Sequence, residues 1–73
     1  MNKKELIKVL KPCWDRMVEA SQIFRQTLNQ IEIDMEAKTK IKGIEFFWCD
    51  GEIAGIGSFD RKMKLIHDSE LGD

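Results

Sequence analysis

The sequence is short of the groups that chemistry most often needs. One histidine, His67, and two cysteines, Cys13 and Cys49, are its only imidazole and thiol groups in 73 residues. A zinc site within one chain takes four N or S ligands, and no CxxC spacing is present, so a metal would have to recruit carboxylates. Two cysteines are also too few for a disulfide framework. Nothing approaches the roughly 18 apolar residues of a membrane span. The N-terminal lysines are followed by no apolar run of leader length. Cysteines with no leader point to a reducing, cytoplasmic setting and to no membrane partner.

Excess charge is lacking as well. Twelve Lys and Arg stand against 13 Asp and Glu, a net charge of −1, so no bulk field drives the chain onto nucleic acid. The two parts differ, however. Residues 1–42 carry nine basic and six acidic residues, a net +3, and residues 43–73 carry three and seven, a net −4. Lys3, Lys4, Lys8 and Lys11 make up much of the first excess. They are candidate phosphate contacts in an alternative reading, a nucleic-acid-associated regulator. Binding by four lysines alone would be weak and salt-sensitive.

What the chain does have is pattern. Ile7, Leu10, Trp14, Met17, Ser21, Phe24, Leu28, Ile31 and Met35 recur alternately at three and four residues, a heptad rhythm broken only by Ser21. Asn2 and Glu5 have capping-box spacing for a helix start, and Gly43 suits a helix end. Asp34 with Lys38 and Glu36 with Lys40 have i,i+4 spacing. Residues 2–41 therefore read as a long amphipathic helical region, kinked or broken near Pro12, which removes a helical hydrogen bond and crowds the Lys8 carbonyl.

Residues 43–59 read as a β-hairpin. Asp50-Gly51 lies between apolar runs, and a two-residue type I′ turn needs positive φ at both of its positions. The simple register pairs Cys49 with Glu52, Trp48 with Ile53, Phe47 with Ala54 and Phe46 with Gly55. Ile44, Phe46, Trp48, Ile53 and Phe59 then share an inner face. Glu45, Phe47, Cys49, Glu52, Ala54, Ile56 and Ser58 share an outer one. The GEIAGIGSFD run fits neither GxGxxG nor GxxxxGK[ST], so its glycines speak for packing under cross-strand rings and against phosphate binding. Residues 60–73 read as a third strand over Met63 to His67, or a short helix capped by Ser58 or Asp60, followed by a frayed DSELGD tail.

The expected architecture is thus a single α+β domain: the long helix, then a small antiparallel hairpin or three-stranded meander. A helix of about 28 residues is roughly 42 Å long, whereas strands of six residues span about 20 Å. The uncovered stripe predicts a helix-mediated homodimer with Trp14, Met17, Ser21, Phe24, Leu28, Ile31 and Met35 at its seam. The competing arrangement is a helix that breaks at Pro12 or midway and folds back on itself.

No motif names a reaction, and no cofactor is expected. His67-Asp68-Ser69 has triad residue types, but consecutive residues do not set up nucleophile, base and orienter. Cys13 reads as a buried structural thiol, and no carboxylate pair shows the unequal burial that acid–base catalysis requires. Phe47 on the outer face is ringed by acids, which disfavours RNA and suits a protein-docking patch. The expectation is a non-enzymatic protein-binding factor, an accessory or inhibitory protein of phage or mobile-element type. It would mask a larger partner protein with Glu45, Phe47, Asp50, Glu52 and Ile56. A small-ligand pocket between Trp14 and Trp48 is a third, weaker reading.

Overall fold

The computed structural model describes residues 2–20, 25–59 and 63–72. Two helices, α1 (Lys3–Ala20) and α2 (Arg25–Thr39), precede three strands, β1 (Ile44–Cys49), β2 (Glu52–Ser58) and β3 (Met63–His67), and a short α3 (Asp68–Leu71) closes the chain. The strands form one antiparallel sheet in the order β1-β2-β3. The chain is α+β, and its third strand is the meander that the Met63–His67 alternation suggested.

The long helix is corrected to two. Helix α1 runs through Pro12 to Ala20, and α2 packs against it in the opposite direction, because Arg16 pairs with Asp34 while Cys13 meets Lys38. A straight 28-residue helix of about 42 Å would overrun the molecule, whose longest extent is 31 Å. Folding back lets both halves of the stripe bury against one small sheet. Ser21 and Phe24 lie outside the described residues. The other seam residues, Trp14, Met17, Leu28, Ile31 and Met35, are all buried within the single chain. They form part of its own core.

The helix ends follow local chemistry. At the start of α1 the Asn2 side-chain oxygen accepts from the Glu5 N–H at 2.8 Å, and the Glu5 carboxylate reaches back to the Asn2 side-chain amide at 3.0 Å. Helix α2 ends earlier than Gly43: Lys40 has φ 61° and donates its N–H to the Glu36 carbonyl, a left-handed stop that a lysine tolerates at some cost. The expected i,i+4 partners are used elsewhere. Asp34 bonds Arg16 on α1, and Glu36 accepts from the Gly43 N–H.

The hairpin turn has the positive φ values expected, 53° at Asp50 and 82° at Gly51. Its register agrees with the simple reading only for the first two pairs, Cys49 with Glu52 and Trp48 with Ile53. A bulge then intervenes, and Phe47 pairs with Gly55, Phe46 with Ile56 and Ile44 with Ser58. One extra residue on β2 turns every later side chain to the other face. Ile56 therefore points inward, is fully buried and stacks between Phe46 and Ile66, its partners on either side. Its assignment to the outer face is corrected, and Ser58, buried with its hydroxyl on the Lys42 carbonyl, moves inward with it.

The core joins Leu6, Leu10, Trp14 and Met17 of α1 to Leu28, Ile31 and Met35 of α2 and to the inner sheet residues Ile44, Phe46, Ile56 and Ile66. Trp14 and Phe46 meet at a ring-centroid distance of 6.0 Å and a tilt of 59°, a geometry that aromatic quadrupoles favour. Leu71 of α3 is also fully buried in this core, so residues 68–72 form a packed element where a frayed end was expected. His67 caps it. Its Nδ1 accepts from the Ser69 N–H while Glu70 accepts from the His67 N–H at 2.8 Å.

Candidate functional site

Inward alternation along β1 ends badly for Trp48. Ile44 and Phe46 are buried beneath the helices, but Trp48, last inward residue before the turn, is 56% exposed. It is one of four large apolar side chains exposed among the described residues, with Val18, Ile33 and Phe59. Phe59, expected on the inner face, is likewise exposed.

Two clefts share Trp48. One, of about 540 Å³, lies between α1 and the hairpin turn; Trp14, Met17 and Val18 form one wall and Glu52 and Ile53 the other. The second, of about 250 Å³, lies between α2 and β1 and is lined by Leu28, Asn29 and Glu32 opposite Glu45 and Phe47. Trp48 is the ridge between them. Val18, like Trp48, is 56% exposed.

The candidate contacts divide accordingly. Glu45 and Phe47 are half-buried in the second cleft beside Trp48, and Asp50 and Glu52 are exposed at the turn, Glu52 in the first cleft. Ile56 is in the core and belongs to no surface. Glu45 and Glu52 make no side-chain hydrogen bond or ion pair among the described residues. Val18 was missed by pattern reading, and Trp48, expected inside and beside a pocket shared with Trp14, was not read as exposed, because alternation assigns a face without saying whether anything lies over it. The signal was positional: an inward residue next to a two-residue turn has little sheet beyond it to pack on.

The edge of β1 is less open than a lone hairpin suggests. The Glu32 carboxylate accepts the Phe46 N–H at 3.0 Å, so an incoming strand cannot pair there without displacing α2. Two of the four candidate lysines have carboxylate partners. Lys3 pairs with Glu70 at 2.6 Å and Lys11 with Asp15 at 2.8 Å, which leaves Lys4 and Lys8 exposed on α1.

The histidine cluster is a cap by geometry. Nδ1 of His67 faces both Asp68, at 2.6 Å, and Ser69, at 3.0 Å. A nucleophile–base–orienter relay needs the nucleophile and the orienter on different ring nitrogens. Cys13 is buried with the Lys38 ammonium 3.7 Å from its sulfur, while Cys49 is exposed at the turn. Among the described residues no three His, Cys, Asp or Glu side chains are grouped to hold a metal. No helix of these residues is long and apolar enough to cross a membrane.

Comparison with models of known families, with curated proteins and with solved structures finds no match in any of the three.

Proposed function

We propose that the protein acts by binding another protein, as a small accessory or inhibitory factor, through the surface around Trp48. The observation that carries this reading is the exposed indole standing between two clefts. Interface energy concentrates in a few aromatic anchors, tryptophan foremost, seated beside hollows that exclude water. Asp50, Glu45 and Glu52 supply a polar rim, the usual surround of such a patch. Phe47, expected as the central aromatic of the patch, is on this reading a neighbour of the anchor.

The test is capture of a partner by the tagged chain and by its Trp48→Ala variant, with Ile33→Ala as control. Ile33 is also exposed but lies on α2 away from both clefts. The expected outcome is a stoichiometric protein retained by the parent and by Ile33→Ala, and reduced at least about tenfold with Trp48→Ala, since hot-spot truncation costs upward of 2 kcal/mol. Equal retention by all three would overturn the assignment. Retention that needs nucleic acid and vanishes steeply with salt would favour the lysines of α1.

A further inference from the structure

The chemistry around Trp48 is one-sided. Its two clefts hold Glu32 and Glu45 on one flank and Glu52 on the other, and no lysine or arginine among their described lining residues. Glu32 is engaged with the β1 backbone, but Glu45 and Glu52 have no side-chain partner among the described residues. Away from the clefts, three acids have basic partners, Glu70 with Lys3, Asp15 with Lys11 and Asp34 with Arg16. An exposed indole face attracts cations through its quadrupole, and a guanidinium, planar and weakly hydrated, stacks on it better than an ammonium does. The cleft walls of Val18, Ile53 and Leu28 suit the aliphatic stems of long basic side chains.

We infer that the partner presents a short basic segment to this surface, with an arginine stacked on Trp48 and neighbouring cations directed to Glu45 in one cleft and Glu52 in the other. The inference rests on the protein-docking reading and specifies the chemistry of what docks. Charge complementarity selects this occupant. A phosphate backbone would meet carboxylates, and the described residues of the expected seam, Trp14, Met17, Leu28, Ile31 and Met35, are already buried within one chain.

The experiment follows the two indole N–H resonances of the full chain by NMR, the Trp48 signal being identified by its loss in Trp48→Phe. The probes are acetyl-Arg-Leu-Arg-amide and its citrulline counterpart, which keeps the shape and loses the charge. The arginine peptide is expected to shift Trp48 and leave the buried Trp14 nearly unmoved. The citrulline peptide should bind at least about fivefold more weakly, the sum of a cation–π contact and exposed ion pairs. A Glu45→Gln, Glu52→Gln double variant should lose a similar factor toward the arginine peptide while its spectrum stays dispersed. Equal shifts from both peptides would overturn the cation selectivity and leave protein docking standing. No shift from either would overturn the inference, with capture by the Trp48→Ala variant judging the docking reading independently. A Trp48 signal that moves with protein concentration alone would name a second copy as the occupant and overturn it too.

Discussion

The Glu32 carboxylate accepts the backbone N–H of Phe46 at 3.0 Å, a side chain of α2 taking a hydrogen bond from the outer edge of β1. An edge amide in this position would otherwise face a neighbour or water, and open strand edges invite pairing with other chains. Helix α2 therefore does two things: its Leu28, Ile31 and Met35 fill the core, and its Glu32 shields the sheet edge.

Replacing Glu32 by Ala should cost about 1–3 kcal/mol, the penalty of leaving a partly buried donor unpaired. Glu32→Gln, which keeps an acceptor, should cost less. Denaturant midpoints give the free energies, and hydrogen exchange at the Phe46 amide locates the effect. Protection of that amide unchanged in Glu32→Ala would show that the bond contributes nothing.

The bulge in β2 makes a sharper prediction at neighbouring positions. Ile56 is fully buried between Phe46 and Ile66, and Ala54 is only partly covered. Ile56→Ala should cost about 2–5 kcal/mol, and Ile56→Lys should unfold a chain this small. Ala54→Lys should be tolerated. Thermal melts of the three variants test the order, and a stable Ile56→Lys would mean the unbulged register, with Ile56 outside.

That bulge marks where the sequence stops being legible. The turn could be read from Asp50-Gly51 because positive φ at two successive positions is a local demand. Strand period and helix period were local too, as was the Asn2 and Glu5 cap. The slip after Trp48 is not local. It comes from burying Ile56 rather than Gly55 against the helices, and a count outward from the turn cannot contain it. The reversal of the helical stripe has the same origin, since a heptad rhythm is satisfied equally by a second chain or by folding back. Trp48 illustrates the limit for the site: periodicity named its side of the sheet, and only the packed structure reveals that the helices leave it uncovered.

Leu71 extends the same lesson to the chain end. Short, polar-flanked and next to glycine, it looks expendable, yet it is fully buried, and its helix is capped by His67 and tied to α1 through Glu70 and Lys3. Leu71→Ala should cost about 2–5 kcal/mol, as for a buried core leucine. An exposed tail would give less than about 0.5 kcal/mol. Urea titration of this single variant decides between the two.

Two carboxylates predict how stability falls in acid. Asp34 is held below its ordinary value of 3.8, chiefly by the hydrogen bond from Arg16. Glu70 is held below 4.5, chiefly by the hydrogen bond from Lys3 and then by the His67 N–H. In each case the folded-state value is the lower one, so the unfolded chain takes up protons first as pH drops. The stability these groups contribute is therefore complete above their ordinary values and is lost as pH falls through the folded ones. Both side chains face solvent, so each effect is modest and weakens with added salt. The denaturant midpoint should show no pH dependence from either group between neutral pH and about 5, then fall in stronger acid. A combined Asp34→Asn, Glu70→Gln variant should start lower at neutral pH and fall less steeply below it. The two pairs fasten α1 to α2 and to α3. An acid slope identical in parent and variant would show that the ties which hold three helices together in the folded chain carry no net electrostatic stability.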